Sequence, residues 1–233
     1  MRTIAIIPAR GGSKRLPRKN IRDFLGKPIV AYSIEAARQS KVFDEVMVST
    51  DDEEIADIAK HFGAEVPFMR SAETSEDAAG QSEVMLEVLS KYTERGVQFD
   101  LLCCLSATAP FVSATRFQQA CRLLLDDRSL ESVSLVTPFA YPIQRALRIQ
   151  NGRFSMMWPE NYSKRSQDCE TAYHDCGLFD FVRVESFIKQ RRLYCEQALG
   201  IIIADSECQD IDTEYDFKLA ELKYKLLHSI NEH

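Results

Sequence analysis

The chain has 233 residues, 45% of them hydrophobic and 27% charged, with a formal net charge of −6. This composition excludes a disordered tail, and no apolar run approaches the length of a membrane span. Seven cysteines without a CxxC spacing argue for free thiols in a reducing cytoplasm rather than a disulfide framework or a zinc site. Charge is uneven: residues 1–22 carry seven basic side chains and no acid, leaving −13 for the remainder. An acidic body is unsuited to general nucleic-acid binding. A focused basic loop suits a small anionic ligand such as a nucleotide, or is simply solvated.

Residues 3–7 read as a buried, β-branched strand, followed by a turn-rich loop over 8–27. Pro28 fits a first helical turn, after which Ile29, Tyr32, Ser33, Ala36 and Ala37 repeat at helical spacing. Residues 45–49 form the next strand, and Asp51 or Asp52 starts a helix that stops near Gly63. A short strand at 65–68, a helix at 82–92, an interior strand at 101–105, a helix at 114–125 and a strand at 132–136 follow. This alternation predicts one α/β domain over 1–233, with a mostly parallel sheet covered by helices on both faces. Ligands in such sheets bind beyond the carboxyl ends of the strands. The loops at 9–19, 49–52 and 106–111 are therefore the candidates. Between about 139 and 175 the texture turns aromatic and irregular, as an inserted arm with two or three antiparallel strands. Strands at 177–184 and 200–204 and a helix at 215–227 close the chain.

The first loop, Ala9 to Asn20, is the sharpest feature. Gly11 and Gly12 let backbone amides approach a ligand, and Arg10, Lys14, Arg18 and Lys19 add cations. Backbone donors with cations suit a triphosphate. Neither GxxxxGK[ST] nor GxGxxG is present, which counts against an ATPase and a hydride-transfer enzyme. Asp210 and Asp212 are two apart and share a face in extended backbone. Either they hold a hard cation, with oxygen donors favouring magnesium over zinc, or Asp212 or Thr213 caps the last helix. Phosphate loop and acidic pair together fit nucleotidyl transfer.

These pieces carry a resemblance. IIPARGGSKRLPRKN, STDDEEIA, SATAPF and QDIDTEYDF, in this order over nearly the full chain, resemble the acylneuraminate cytidylyltransferase family. FAYPIQRAL and WPENYSKRSQDCETAYHDCG look most like its pseudaminic acid branch. The resemblance implies a Rossmann-like nucleotide-diphospho-sugar transferase fold and transfer of CMP from CTP to a nine-carbon 2-keto sugar acid. Magnesium (Mg2+) is the implied cofactor, with release of pyrophosphate. It also implies a homodimer in which the arm helps complete the partner's sugar site. By the same likeness Arg10, Ser13 and Lys14 fall in the triphosphate loop, Lys19 near the reacting centre, Asn20, Arg70 and Ser82 at nucleotide positions, and Asp210 and Asp212 at the metal pair. Ser106, Arg165, Tyr173 and His174 fall on the sugar side. Ser106 stands where the sialic acid branch has a longer, sugar-contacting glutamine. Activation of a sialic acid or of 3-deoxy-manno-octulosonate, and a non-catalytic CTP-binding subunit, are the alternatives.

Overall fold

The computed structural model describes residues 1–76 and 79–230. Strand β1 (Thr3–Pro8) runs into the basic loop, which closes with a hairpin of β2 (Asp23–Phe24) and β3 (Lys27–Pro28). Pro28 pairs in that hairpin and lies just before α1 (Ile29–Ser40), one residue earlier than its expected place inside the first turn. Then come β4 (Glu45–Ser49), α2 (Glu53–His61), α3 (Ala72–Ser75), α4 (Gln81–Glu94), β5 (Leu101–Leu105), α5 (Ala114–Asp126) and β6 (Ser132–Pro138). The arm holds β7 (Leu147–Gln150) and β8 (Arg153–Met156). The chain ends with β9 (Tyr173–Arg183), α6 (Val184–Gln190), β10 (Ala198–Ile202) and α7 (Glu214–Ile230).

Six strands form one sheet in the order β10-β6-β9-β5-β1-β4. Five run the same way, and β9 runs antiparallel to both of its neighbours, so the sheet is mixed. The reversal follows from the path of the chain. The arm leaves the end of β6 at Pro138 and returns at Tyr173, which pairs with Pro138. A strand re-entering at the edge where its partner left must run back down, whereas a parallel partner needs a crossover to the opposite edge. The short strand expected at 65–68 shrinks to a single bridge between Met47 and Glu65, since Pro67 two residues on has no donor for a continued ladder.

Helices cover both faces. Val30 and Ile34 of α1, Ile55 of α2 and Phe117 of α5 pack on one face with Ala5, Ile7 and Cys103. Val84 and Met85 of α4 and Phe187 of α6 pack on the other with Ile4, Ile6, Leu102 and Val182. The alternating side-chain directions of β1 and β5 supply both layers. A third, smaller core matters for the site. Leu16 of the basic loop and Ile211, between the two candidate metal acids, pack with Phe24, Ile29, Phe217 and Ala220. Apolar contact with α7 thus fixes two segments about 190 positions apart in the sequence side by side.

Candidate active site

A cavity of about 280 Å3 opens beyond the carboxyl ends of β1 and β5. Arg10, Ser13, Lys14, Lys19, Asn20, Arg70, Ser106 and Asp212 line it, so eight of the sequence-nominated residues meet at one place. The loop is braced from below by the acids after β4. Asp51 Oδ1 accepts the Gly11 amide at 2.9 Å. Asp52 caps α2 by accepting the Ile55 amide at 3.0 Å, and it also pairs with Arg18, which reaches Glu54 as well. The Arg18 guanidinium holds the Asp52 carboxyl below its usual range. This grip maintains Arg18 in the left-handed region at φ 56°, a conformation that costs a non-glycine residue about 1 kcal/mol or more. Lys19 opens the short 3-10 turn that follows.

Gly11 and Gly12 do not line the cavity. A Cβ on Gly11 would sit 2.6 Å from Asp52 Oδ2 and 3.0 Å from its Cβ, whereas Gly12 faces open space. The first glycine therefore permits close packing on Asp52, and its amide is engaged by Asp51. Asn20 Nδ2 donates to the Arg10 carbonyl at 2.9 Å. Arg70 is buried and donates to Ser49 Oγ and the Ser49 carbonyl at 3.1 and 2.7 Å. Ser106 Oγ lies 3.3 Å from Thr108 Oγ1.

On the opposite wall Lys19 Nζ donates to the Ile211 carbonyl at 2.6 Å and to Asp212 Oδ1 at 3.3 Å. Arg15 meets Asp212 Oδ2 at 2.8 Å. Asp210 lies outside the cavity lining, and burial and the neighbouring Asp212 raise its carboxyl above the usual carboxylate range. Of the two cap candidates Thr213, not Asp212, is the cap: Thr213 Oγ1 accepts the Asp216 amide at 3.3 Å, and Asp216 accepts the Thr213 amide at 2.8 Å. This reciprocal pair satisfies the α7 terminus. Among the described residues no three His, Cys, Asp or Glu side chains form a ready metal cage. Two carboxylates beside a cavity lined by lysine and arginine side chains are nonetheless a set that suits magnesium, which binds one or two carboxylates together with substrate phosphates.

Ser82 is half-buried on α4 outside the lining, although its neighbours Gly80 and Gln81 belong to it. Arg165, Tyr173 and His174 also lie outside. Arg165 is exposed and paired with Asp168 at 2.7 and 3.0 Å. His174 Nδ1 is 2.8 Å from the Asp175 carbonyl, and its ring packs on Phe139 at 4.8 Å. Sequence reasoning did not single out Arg15, Thr74 or Gln81. Arg15 sits within the basic loop, but nothing in its spacing distinguished it from the other cations.

The family profile described as cytidylyltransferase matches residues 4–146. The chain is 39% identical, over 98% of its length and 98% of the other protein's, to a pseudaminic acid cytidylyltransferase of Campylobacter jejuni subsp. jejuni. It is 33% identical to a CMP-N,N'-diacetyllegionaminic acid synthase of Legionella pneumophila, over 95% of each chain. Among solved structures it is similar to a CMP:2-keto-3-deoxy-manno-octonic acid synthetase complexed with CTP, with a TM-score of 0.69, 20% identity, and coverage of 98% of this chain and 100% of that one. That likeness shows the nucleotide-diphospho-sugar transferase fold, with its mixed sheet and flanking helices. With a matched profile across most of the chain and near full-length identity to these relatives, the protein belongs to the cytidylyltransferase family.

Proposed function

We propose that the protein transfers CMP from CTP to pseudaminic acid, a 5,7-diacylamino nine-carbon 2-keto sugar acid, giving CMP-pseudaminic acid and pyrophosphate. The observation that carries the reading is the cavity in which Arg10, Ser13, Lys14 and Lys19 face Asp212. The near full-length relative from Campylobacter jejuni supports the choice of sugar. In the reaction the anomeric hydroxyl oxygen attacks the α-phosphorus and loses its proton, while the bond to the bridging oxygen breaks and pyrophosphate leaves. Arg10, Lys14 and Lys19 neutralise phosphate charge and hold the chain of phosphates in line. Asn20 and Arg70, fixed by the Arg10 and Ser49 backbones, are placed for the nucleoside end. Asp210 and Asp212 would hold magnesium, which supplies further neutralisation of the phosphates when bound.

The reading includes work in the cytoplasm, supported by seven cysteines that are free thiols. It is tested by pyrophosphate release from CTP and magnesium with pseudaminic acid, N-acetylneuraminic acid and 3-deoxy-manno-octulosonate in parallel. Release that depends on pseudaminic acid is expected. Preference for another acid would replace the sugar, and bound CTP without release from any acid would favour a regulatory subunit.

The reading also includes a homodimer built through the arm. The β7–β8 hairpin turns through Asn151 and Gly152, both at positive φ, as a tight two-residue turn requires. A lone hairpin is marginal in water, and here Ile149, Phe154 and nearby Tyr162 are each more than 70% exposed. Such a concentration of exposed apolar side chains fits a protein interface better than a free surface. Sedimentation is expected to give a dimer for the wild type and a monomer for the double variant Ile149→Glu, Phe154→Glu. A wild-type monomer would overturn the arm's role.

A further inference from the structure

One half-buried acid has no part in the mechanism above. Asp180 lies on β9 between Phe179 and Phe181, whose rings belong to the core of the opposite sheet face. It stands in register between Cys104 of β5 and Ser134 of β6. Ser134 Oγ donates to Asp180 Oδ1 at 2.6 Å. The surroundings are polar and reach the cavity wall. Cys104 Sγ is 3.8 Å from Gln81 Oε1, and both Gln81 and Ser106, two residues beyond Cys104, line the cavity. Asp180 therefore stands one strand spacing, roughly 4.8 Å, from Cys104, the residue whose thiol meets that wall at Gln81. It lies on the far side of β5 from the phosphate loop. Tyr194, from the loop before β10, lies close to Asp175, Asp180 and Cys104.

A purely structural role explains Asp180 poorly. Burial pushes its carboxyl up to about 6 despite the Ser134 hydrogen bond, so its charge opposes folding at neutral pH. An amide would serve the same hydrogen bond without that cost. Perturbed acids beside a cleft are candidates for ligand contact.

We infer that Asp180, with Ser134 and Tyr194, forms the subsite that selects the acceptor by the hydroxyl or amide N–H donors at its end remote from the reacting carbon. The inference rests on the proposed transfer to a sugar acid. Two neighbouring carboxylates, Asp175 and Asp180, accept hydrogen bonds from such donors and repel the acceptor's own carboxylate. The sugar is thereby oriented with its anionic group away from β9. An ionised Asp180 can only accept, whereas a protonated one also donates, so recognition depends on pH near 6. The groups facing it are Asp175 on its own strand, Cys104 on β5, Ser134 on β6 and Tyr194.

The test compares wild type with Asp180→Asn in the full chain, using the sugar acid that wild type uses best. The acceptor KM is expected to rise about tenfold or more, as when a polar site loses a matched partner, with the CTP dissociation constant changed less than about twofold. The wild-type acceptor KM should vary through about pH 6, and the variant's should be flat. The variant should be at least as heat-stable at pH 7.5, because it lacks a half-buried charge. An unchanged acceptor KM, or an equal loss for acceptor and CTP, would overturn the inference. Should Asp180→Asn not fold, Ser134→Ala reports the same acceptor effect, and its absence there is equally fatal. Wild-type preference among acceptors tests the preceding reading separately: a sugar acid without acylamino groups would overturn the choice of pseudaminic acid, while the variants still test this subsite on its hydroxyls.

Discussion

Replacing Lys19 with alanine is expected to lower kcat by about 10²–10³, the loss typical of removing one preorganised donor from a developing negative charge. The ammonium is held at the cavity wall by the Ile211 carbonyl at 2.6 Å and by Asp212 at 3.3 Å, with its side chain only 21% exposed. Arg18 in left-handed backbone, clasped by Asp52 and Glu54, leads directly into it. The charge is thus fixed before any phosphate arrives, so little reorganisation is needed during the reaction. The KM for CTP should change less than tenfold, since Arg10 and Lys14 remain. Removing one charged hydrogen bond should cost about 1–3 kcal/mol, with a loss of no more than roughly 12 °C in Tm. Lys19→Arg should recover only part of the rate, because a planar fork does not reproduce a compact ammonium. Steady-state kinetics with CTP varied at saturating acceptor, with the melting temperature measured alongside, decides the matter. A kcat within threefold of wild type would remove Lys19 from the reacting centre.

The strands beneath this site were easy to read, for a physical reason. Residues 101–105 are an apolar run buried on both faces, and the boundaries expected for it and for 45–49 agree with β5 and β4 to the residue. A run like 101–105 has no other stable place than the middle of a covered sheet. The direction of β9 was not legible: periodicity reports which face of a strand is buried, while neighbour order depends on where a 34-residue excursion through the arm returns the chain. The same limit governs the site. The chemistry of Arg10, Lys14, Lys19 and Asp212 stands in the sequence as charge, but their convergence rests on Leu16 meeting Ile211 in the small core under α7. The acids 51–54 read equally well as cap or solvated surface. Asp52 is the cap, and it and Asp51 also brace the basic loop through contacts that local spacing does not encode. Asp180 left a faint mark, an acid between two phenylalanines in the otherwise apolar stretch 177–182.

Asp212→Asn should lower kcat by at least about 10² and move the magnesium requirement to higher concentration, as loss of a carboxylate beside the phosphates would. The alternative is that Asp212 merely organises the start of α7, and the structure separates the two. The cap belongs to Thr213 and Asp216, whose reciprocal bonds are 3.3 and 2.8 Å, and the Asp212 side chain points instead to Arg15 and Lys19. Arg15 is 71% exposed and Asp212 32%, so their pairing contributes no more than about 1 kcal/mol. Thermal stability should therefore fall by only about 2–4 °C in a chain of this length. Thr213→Ala should lose a similar amount of stability, about 1 kcal/mol, with the cap, but its kcat should stay within twofold. Asp210→Asn should follow Asp212→Asn in its magnesium dependence, and it should relieve the crowding that raises the Asp210 carboxyl. Magnesium titrations of the rate, paired with melting curves for all three variants, provide the comparison. Large destabilisation of Asp212→Asn with normal specific activity in the folded fraction would return Asp212 to a structural role and leave Lys19 without its proposed metal-bound counterpart.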